Sequence, residues 1–312
     1  MTNHPLTRRE ILKHLALTPV LLSVPLTMLW GKSLQRNSSS ESPSSENPSS
    51  GNPSFGNSSS GNKKKWASLF DGKSLSGWHV NPEKIAHGTG GLWQVEKGVI
   101  VSQQDPPGSG NGGMLLTDNK FSDFELELDV MPDWGVDSGV FIRTNNQGEC
   151  FQIYVDYHDN GLIAFISTEG KDRMYIRPFC IDGKLDDKGN LKELITKPDS
   201  RPEAWGSDFL KYHCTPEIWK KTWKIGKWNT LRIRCTGKYP HITTWMNNVK
   251  IMEFDGETCR SPIYRKEQLA EELGREGHIA MQVHGGTSSW VEGAVCRWKN
   301  IKIKEIEHNE SK

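Results

Sequence analysis

Two short stretches carry polar residues at the spacing that chemistry on a β-sheet needs. In Phe151-Gln152-Ile153-Tyr154-Val155-Asp156 the apolar residues alternate with Gln152, Tyr154 and Asp156. Side chains two apart on a strand share a face, so these three project together. In Ile279-Ala280-Met281-Gln282-Val283-His284, Gln282 and His284 share the face opposite Ile279, Met281 and Val283. Arg143 ends a third run, Val140-Phe141-Ile142-Arg143, and His158 follows Asp156 by two residues. If these faces line one sheet, they form a polar floor. Histidine suits a general base because its pKa lies near operating pH. Gln152 and Tyr154 are then the expected ligand contacts. Trp290, with one of Trp205, Trp219 and Trp223, would supply a stacking wall. His284, His158 and Asp156 are also a set able to hold a divalent metal, although nothing in the sequence requires one. No other cofactor is expected.

Such a floor needs strands, and the sequence supplies them from Trp66 onward. Phe124-Glu125-Leu126-Glu127-Leu128-Asp129-Val130 alternates strictly, as a half-buried strand does. Leu231, Ile233 and Cys235 alternate with Arg232 and Arg234. Asn247-Asn248 separates the run ending at Met246 from the run starting at Val249, which reads as a tight hairpin. Residues 279–283 and 301–306 predict two further strands. Helical periodicity is confined to Arg265–Gly274, with Gly274 just past the helix end. The stretch 171–227 breaks the rhythm and predicts a long irregular insertion beside the site. Many short strands with frequent turn signals point to an all-β sandwich or barrel.

The chain of 312 residues carries a net charge of +1, which argues against a nucleic-acid partner. Its six cysteines include no C-x-x-C pair, so a zinc ribbon is not expected. Thr7-Arg8-Arg9-Glu10-Ile11-Leu12-Lys13 matches a twin-arginine export pattern. An apolar stretch follows from Leu15 to Trp30, interrupted by Pro19 and Pro25. It fits a signal h-region better than a membrane span of about 20 residues. Residues 1–36 are therefore predicted as a signal or anchor. The protein is expected to be periplasmic or extracellular, with a membrane tether if the segment persists. Residues 37–65 are rich in Ser, Asn, Gly and Pro and predict a disordered linker. Residues 66–307 are predicted as one sandwich domain.

Longer motifs carry a resemblance. Leu69-Phe70-Asp71-Gly72-Lys73-Ser74-Leu75-Ser76-Gly77-Trp78 opens the folded region, and Trp93-Gln94-Val95-Glu96-Lys97-Gly98 follows. Then come Leu116-Thr117, Phe121-Ser122-Asp123-Phe124, Asp137-Ser138-Gly139-Val140 through Arg143, Trp228-Asn229, and Gly277-His278 through Gly285. Trp298-Lys299-Asn300-Ile301 closes the series. In this order the motifs resemble the 3-keto-disaccharide hydrolase family. The resemblance implies a concanavalin A-like β-sandwich (jelly roll). Two motifs depart from it. The family's Tyr-Glu-x-Gln corresponds here to Cys150-Phe151-Gln152-Ile153-Tyr154-Val155-Asp156, with Glu149 as the alternative carboxylate, and its Asn-Ser-Gly is Asp137-Ser138-Gly139.

The resemblance also implies a chemistry. A 3-keto sugar has an acidic proton at C2. One base can remove it, the C1 glycosidic oxygen then leaves, and water adds afterwards. In that scheme His284 is the base and Asp156 its orienter or the acid. Arg143 or Gln282 stabilises the enolate, and His158 is a further catalytic candidate. Glucanases of this fold instead use E-x-D-x-x-E, and the nearest stretch here, Glu127-Leu128-Asp129-Val130-Met131-Pro132, lacks the last carboxylate. A non-catalytic sugar-binding module is the alternative that the fold leaves open.

Overall fold

The computed structural model describes residues 65–170, 174–199 and 206–307. The predicted export segment, the linker up to residue 64, and Trp205 lie outside the described residues. Two antiparallel sheets make up the described chain. One runs in the order β13 (Leu210–His213), β16 (Val249–Asp255), β15 (His241–Met246), β14 (Asn229–Thr236), β6 (Phe124–Pro132), β18 (Cys296–Glu305), β4 (Val99–Gln103) and β3 (Leu92–Glu96), with β1 (Ala67–Ser68) also on β18. The other runs β10 (Tyr175–Ile176), β9 (Ile163–Glu169), β8 (Cys150–Val155), β7 (Gly139–Thr144), β17 (His278–Val283), β5 (Gly113–Thr117) and β2 (Trp78–Val80). This is the all-β sandwich expected.

The core follows from alternation. On β6 the residues Phe124, Leu126, Leu128 and Val130 are buried, while Glu125, Glu127 and Asp129 stay half exposed. The register sets Leu231 of β14 opposite Leu128 and Ile233 opposite Leu126, so apolar rows run unbroken across strands. From the other sheet, Val140, Ile142, Ile153, Ile279, Met281 and Val283 complete the same core. The seven-stranded sheet is covered on both faces: every residue of β5, β7, β8, β9 and β17 is buried. On its outer side Ile85, Met114, Leu116, Phe141, Cys150 and Ala280 form a second, smaller apolar cluster.

The predicted irregular insertion is largely ordered. It holds β10 and a separate hairpin of β11 (Cys180–Leu185) and β12 (Leu191–Lys197). It then gives β13 and the helix α1 (Pro216–Thr222). Thr215 caps α1 by accepting from the Ile218 N–H, with Pro216 in the first turn. Trp219 and Trp223 stack 6.0 Å apart and are buried in the core, so neither supplies the predicted stacking wall. The indole of Trp219 donates to the Ile163 carbonyl at 3.1 Å, which ties the insertion to β9. The predicted helix is α2 (Lys266–Leu273), ended by Gly274 at φ 70°.

Candidate active site

Strand alternation on the seven-stranded sheet turns Gln152 and Gln282 to its outer face, next to the apolar cluster. There they form a directed chain. The Ser167 hydroxyl donates to Gln152 Oε1 at 2.9 Å, and Gln152 Nε2 donates to Gln282 Oε1 at 2.9 Å. Gln282 Nε2 then lies 3.1 Å from His87 Nε2. An amide nitrogen only donates, so His87 accepts at Nε2. Gly139 lies beneath this chain: a Cβ there would meet Gln152 Nε2 at 2.5 Å. The His87 ring stands edge-on to His284, centroids 4.6 Å apart. Their backbones approach so closely that a Cβ on Gly285 would meet the His87 carbonyl at 2.3 Å.

His284 follows β17 and is partly exposed. Its Nδ1 lies 2.6 Å from the Gly285 carbonyl, which fixes the proton there and leaves Nε2 as an acceptor. Its backbone N–H donates to the Asp137 carbonyl at 3.3 Å, so the end of β17 sits beside the residue that leads into β7. Around Asp137 the other charged groups gather. Asp137, Asp156 and His158 offer ligand atoms within 4.8 Å of one another, a spacing at which a divalent cation could be held. His158 Nε2 stands 3.5 Å from Asp137 Oδ2, while its Nδ1 meets the Asp159 carbonyl at 2.8 Å. Arg177, from the insertion, reaches Asp156 at 3.9 Å and Asp199 at 3.3 Å, and its guanidinium lies 5.4 Å from the Tyr154 ring centroid.

The electrostatics follow from this grouping. Burial disfavours the Asp137 carboxylate. The close approach of His158 and the nearby imidazole of His284 nonetheless hold its pKa below the ordinary value. Burial likewise disfavours a charged His158, yet the Asp137 carboxylate raises its pKa above the usual imidazole value. The two shifts describe one interaction seen from each partner. Burial beside Asp156 pushes the Tyr154 phenol well up, so it stays protonated.

The insertion fastens the loop that bears His158. Asp159 accepts from the Gly183 N–H at 2.9 Å, and Asp182 accepts from the Asn160 N–H at 3.0 Å. Gly161 pairs with Ile181 in an isolated bridge, and Arg177 donates to the Asn160 carbonyl.

Of the residues singled out in the sequence, the structure gathers His284, Asp156 and His158. It does not place the others as expected. Gln282 and Gln152 are 0% and 3% exposed, with their amides engaged by each other. They lie under the site, where Gln282 meets His87 and Gln152 meets Gln282. Tyr154 is buried beneath Arg177. Trp290 is 2% exposed, and its indole donates to the Ala294 carbonyl, so it packs instead of stacking on a sugar. Arg143 pairs with Asp123 at 3.1 Å and donates to the Gly237 carbonyl at 2.7 Å, away from Asp156. The site's guanidinium is Arg177. The candidate cation group contains Asp137 in place of His284. Asp137 had a signal, the Asp-Ser-Gly motif. His87 had only the glycines after it, at positions 88, 90 and 91, which mark close backbone approach.

Residues 65–304 match the family model of the 3-keto-alpha-glucoside-1,2-lyase-like domain. The chain belongs to this family. The 3-keto-alpha-glucoside-1,2-lyase-like domain thus spans nearly all the described residues, including every residue of the cluster. A protein named 3-keto-disaccharide hydrolase from Bacteroides thetaiotaomicron is 22% identical over 264 residues, covering 77% of this chain and 78% of its own. Among solved structures, a Bacillus licheniformis beta-glucanase aligns at 8% identity over 80% of this chain and 100% of its own, with a TM-score of 0.41. The carbohydrate binding module CBM66 from Bacillus subtilis aligns at 11% identity over 73% of this chain and 96% of its own, with a TM-score of 0.37.

Proposed function

We propose that the protein cleaves 3-keto-glycosides by elimination across C1 and C2, followed by hydration. The observation that carries the reading is His284: a half-buried imidazole with Nδ1 tied to a carbonyl and Nε2 free, beside the His158–Asp137 pair. Membership of a lyase-like family supports it, as does the name of the Bacteroides relative. His284 Nε2 takes the C2 proton. The C2–H electron pair forms an enolate on the C3 oxygen. As that oxygen returns to a carbonyl, C1=C2 forms and the C1–O bond breaks. The departing oxygen takes a proton from His158, whose protonated form Asp137 stabilises. Water then adds across C1=C2, with hydroxyl at C1 and hydrogen at C2, so the net reaction is hydrolysis. Arg177 holds Asp156 and supplies fixed positive charge as the enolate forms.

The test pairs each 3-keto-glycoside with its unoxidised parent. An unoxidised sugar has no carbonyl to acidify C2, and one histidine cannot remove that proton. Cleavage of the 3-keto form alone is the expected result. Equal cleavage of both would sink the elimination scheme. Binding of both without cleavage would favour a sugar-binding module.

The alkaline limb of kcat should report His158. The acid is active while protonated, so activity falls as pH rises through the folded-state pKa. That pKa lies above the ordinary value of about 6.5 because Asp137 stabilises the charged ring. Asp137→Asn removes the carboxylate, lowers the pKa, and moves the limb to lower pH. A pH–rate profile whose alkaline limb is the same in both proteins would show that His158 is not the acid.

A further inference from the structure

The outer face of the nine-stranded sheet lies across the core from His284, and the mechanism uses none of it. A recess of about 510 Å³ opens there, lined by Trp66, Ser68, Glu127, Asp129, Thr230, Asn300 and Lys302. Its floor is built by a bulge. The pairing of β18 with β6 slips between Lys299 and Lys302, and Asn300 takes a left-handed φ of 52°. Bulges re-aim side chains. Here Asn300 Nδ2 donates to Asp129 Oδ2 at 2.7 Å, and the Thr230 hydroxyl donates to Asp129 Oδ1 at 2.6 Å. Glu127 is paired with Lys302 at 2.8 Å. Trp66 forms the wall. The ammonium groups of Lys302 and Lys304 stand 5.2 and 5.5 Å from its ring, and the residue is still 37% exposed.

These features select one kind of ligand. Glu127 is engaged by Lys302 and both oxygens of Asp129 are engaged by Asn300 and Thr230, so the carboxylates are held in place and already hydrogen-bonded. What the recess offers is a planar carboxylate and amide, a hydroxyl and an indole. Planar polar groups match vicinal hydroxyls, and an indole matches the C–H face of a pyranose ring. We propose that this recess is a second carbohydrate site, for a neutral glycan chain, separate from the site of cleavage. The proposal is independent of the elimination reading, because it concerns binding alone.

Affinity electrophoresis of the full chain in gels containing β-glucan, α-glucan, xylan or galactomannan tests it. Wild type and His284→Ala are expected to be retarded equally in at least one gel. Trp66→Ala should weaken that retardation about tenfold or more, as truncating a binding tryptophan commonly does. Asn300→Gly relieves the left-handed backbone but removes the amide, and should weaken binding while leaving the melting temperature close to wild type. Turnover of a small 3-keto-disaccharide should be unchanged in Trp66→Ala. Retardation in none of the four gels would overturn the proposal. So would retardation that survives in Trp66→Ala, or that is lost in His284→Ala.

Discussion

His284→Ala should lower turnover of 3-keto-glycosides by about 10²–10⁴-fold, the usual contribution of a positioned acid or base. The expected size comes from its geometry. The Gly285 carbonyl fixes the proton at Nδ1, and the edge-on ring of His87 limits rotation of the imidazole. A base held in one tautomer and one orientation loses nearly all of its contribution when the ring is removed. The fold should survive, because the side chain is partly exposed and outside the apolar core. Single-turnover rates on a 3-keto-glucoside, with circular dichroism as the control, measure this. Full activity in His284→Ala would place the base elsewhere, and His158 would be examined next by the same substitution.

Arg143→Met should cost about 3–5 kcal/mol of stability, the range for leaving one partner of a buried ion pair alone. Arg143 is 1% exposed and Asp123 is 6% exposed. The guanidinium also binds the carbonyls of Ser122, Gly237 and Lys238, so it closes the end of β7 onto the turn after β14. Arg275, 3.4 Å from Asp123, remains as partial compensation and sets the loss toward the lower end. Urea unfolding provides the measurement. Adding Asp123→Asn should recover part of the loss, because the stranded charge is then gone. The kcat of folded Arg143→Met should stay near wild type. A large fall in kcat at unchanged stability would return Arg143 to the catalytic group.

The nine-stranded sheet was legible because one of its faces meets water. Glu125, Glu127 and Asp129 alternate with buried apolar residues, so β6 and its neighbours could be read residue by residue. The seven-stranded sheet hides its site for the opposite reason. Both faces are covered, so Gln152 and Gln282 alternate as if exposed while lying under the loop that carries His87. Arg143 misled through its backbone. Its φ of 51° departs from strand geometry, and alternation no longer predicts where its side chain goes. His284, Asp156 and His158 were readable because they sit at or just beyond strand ends, where local spacing still governs. Arg177 was not, because it reaches the cluster from an insertion that Trp219 ties to β9.

The chain from Ser167 to His87 has a property that its individual bonds do not show. Each amide has one donating and one accepting end, so the links cannot reverse one at a time. Either all point toward His87, as observed, or all point back toward Ser167, with His87 carrying its proton on Nε2. The row behaves as a single two-position register. The state of a hydroxyl on β9 and the tautomer of a ring touching His284 are therefore one variable, written across three strands and a loop.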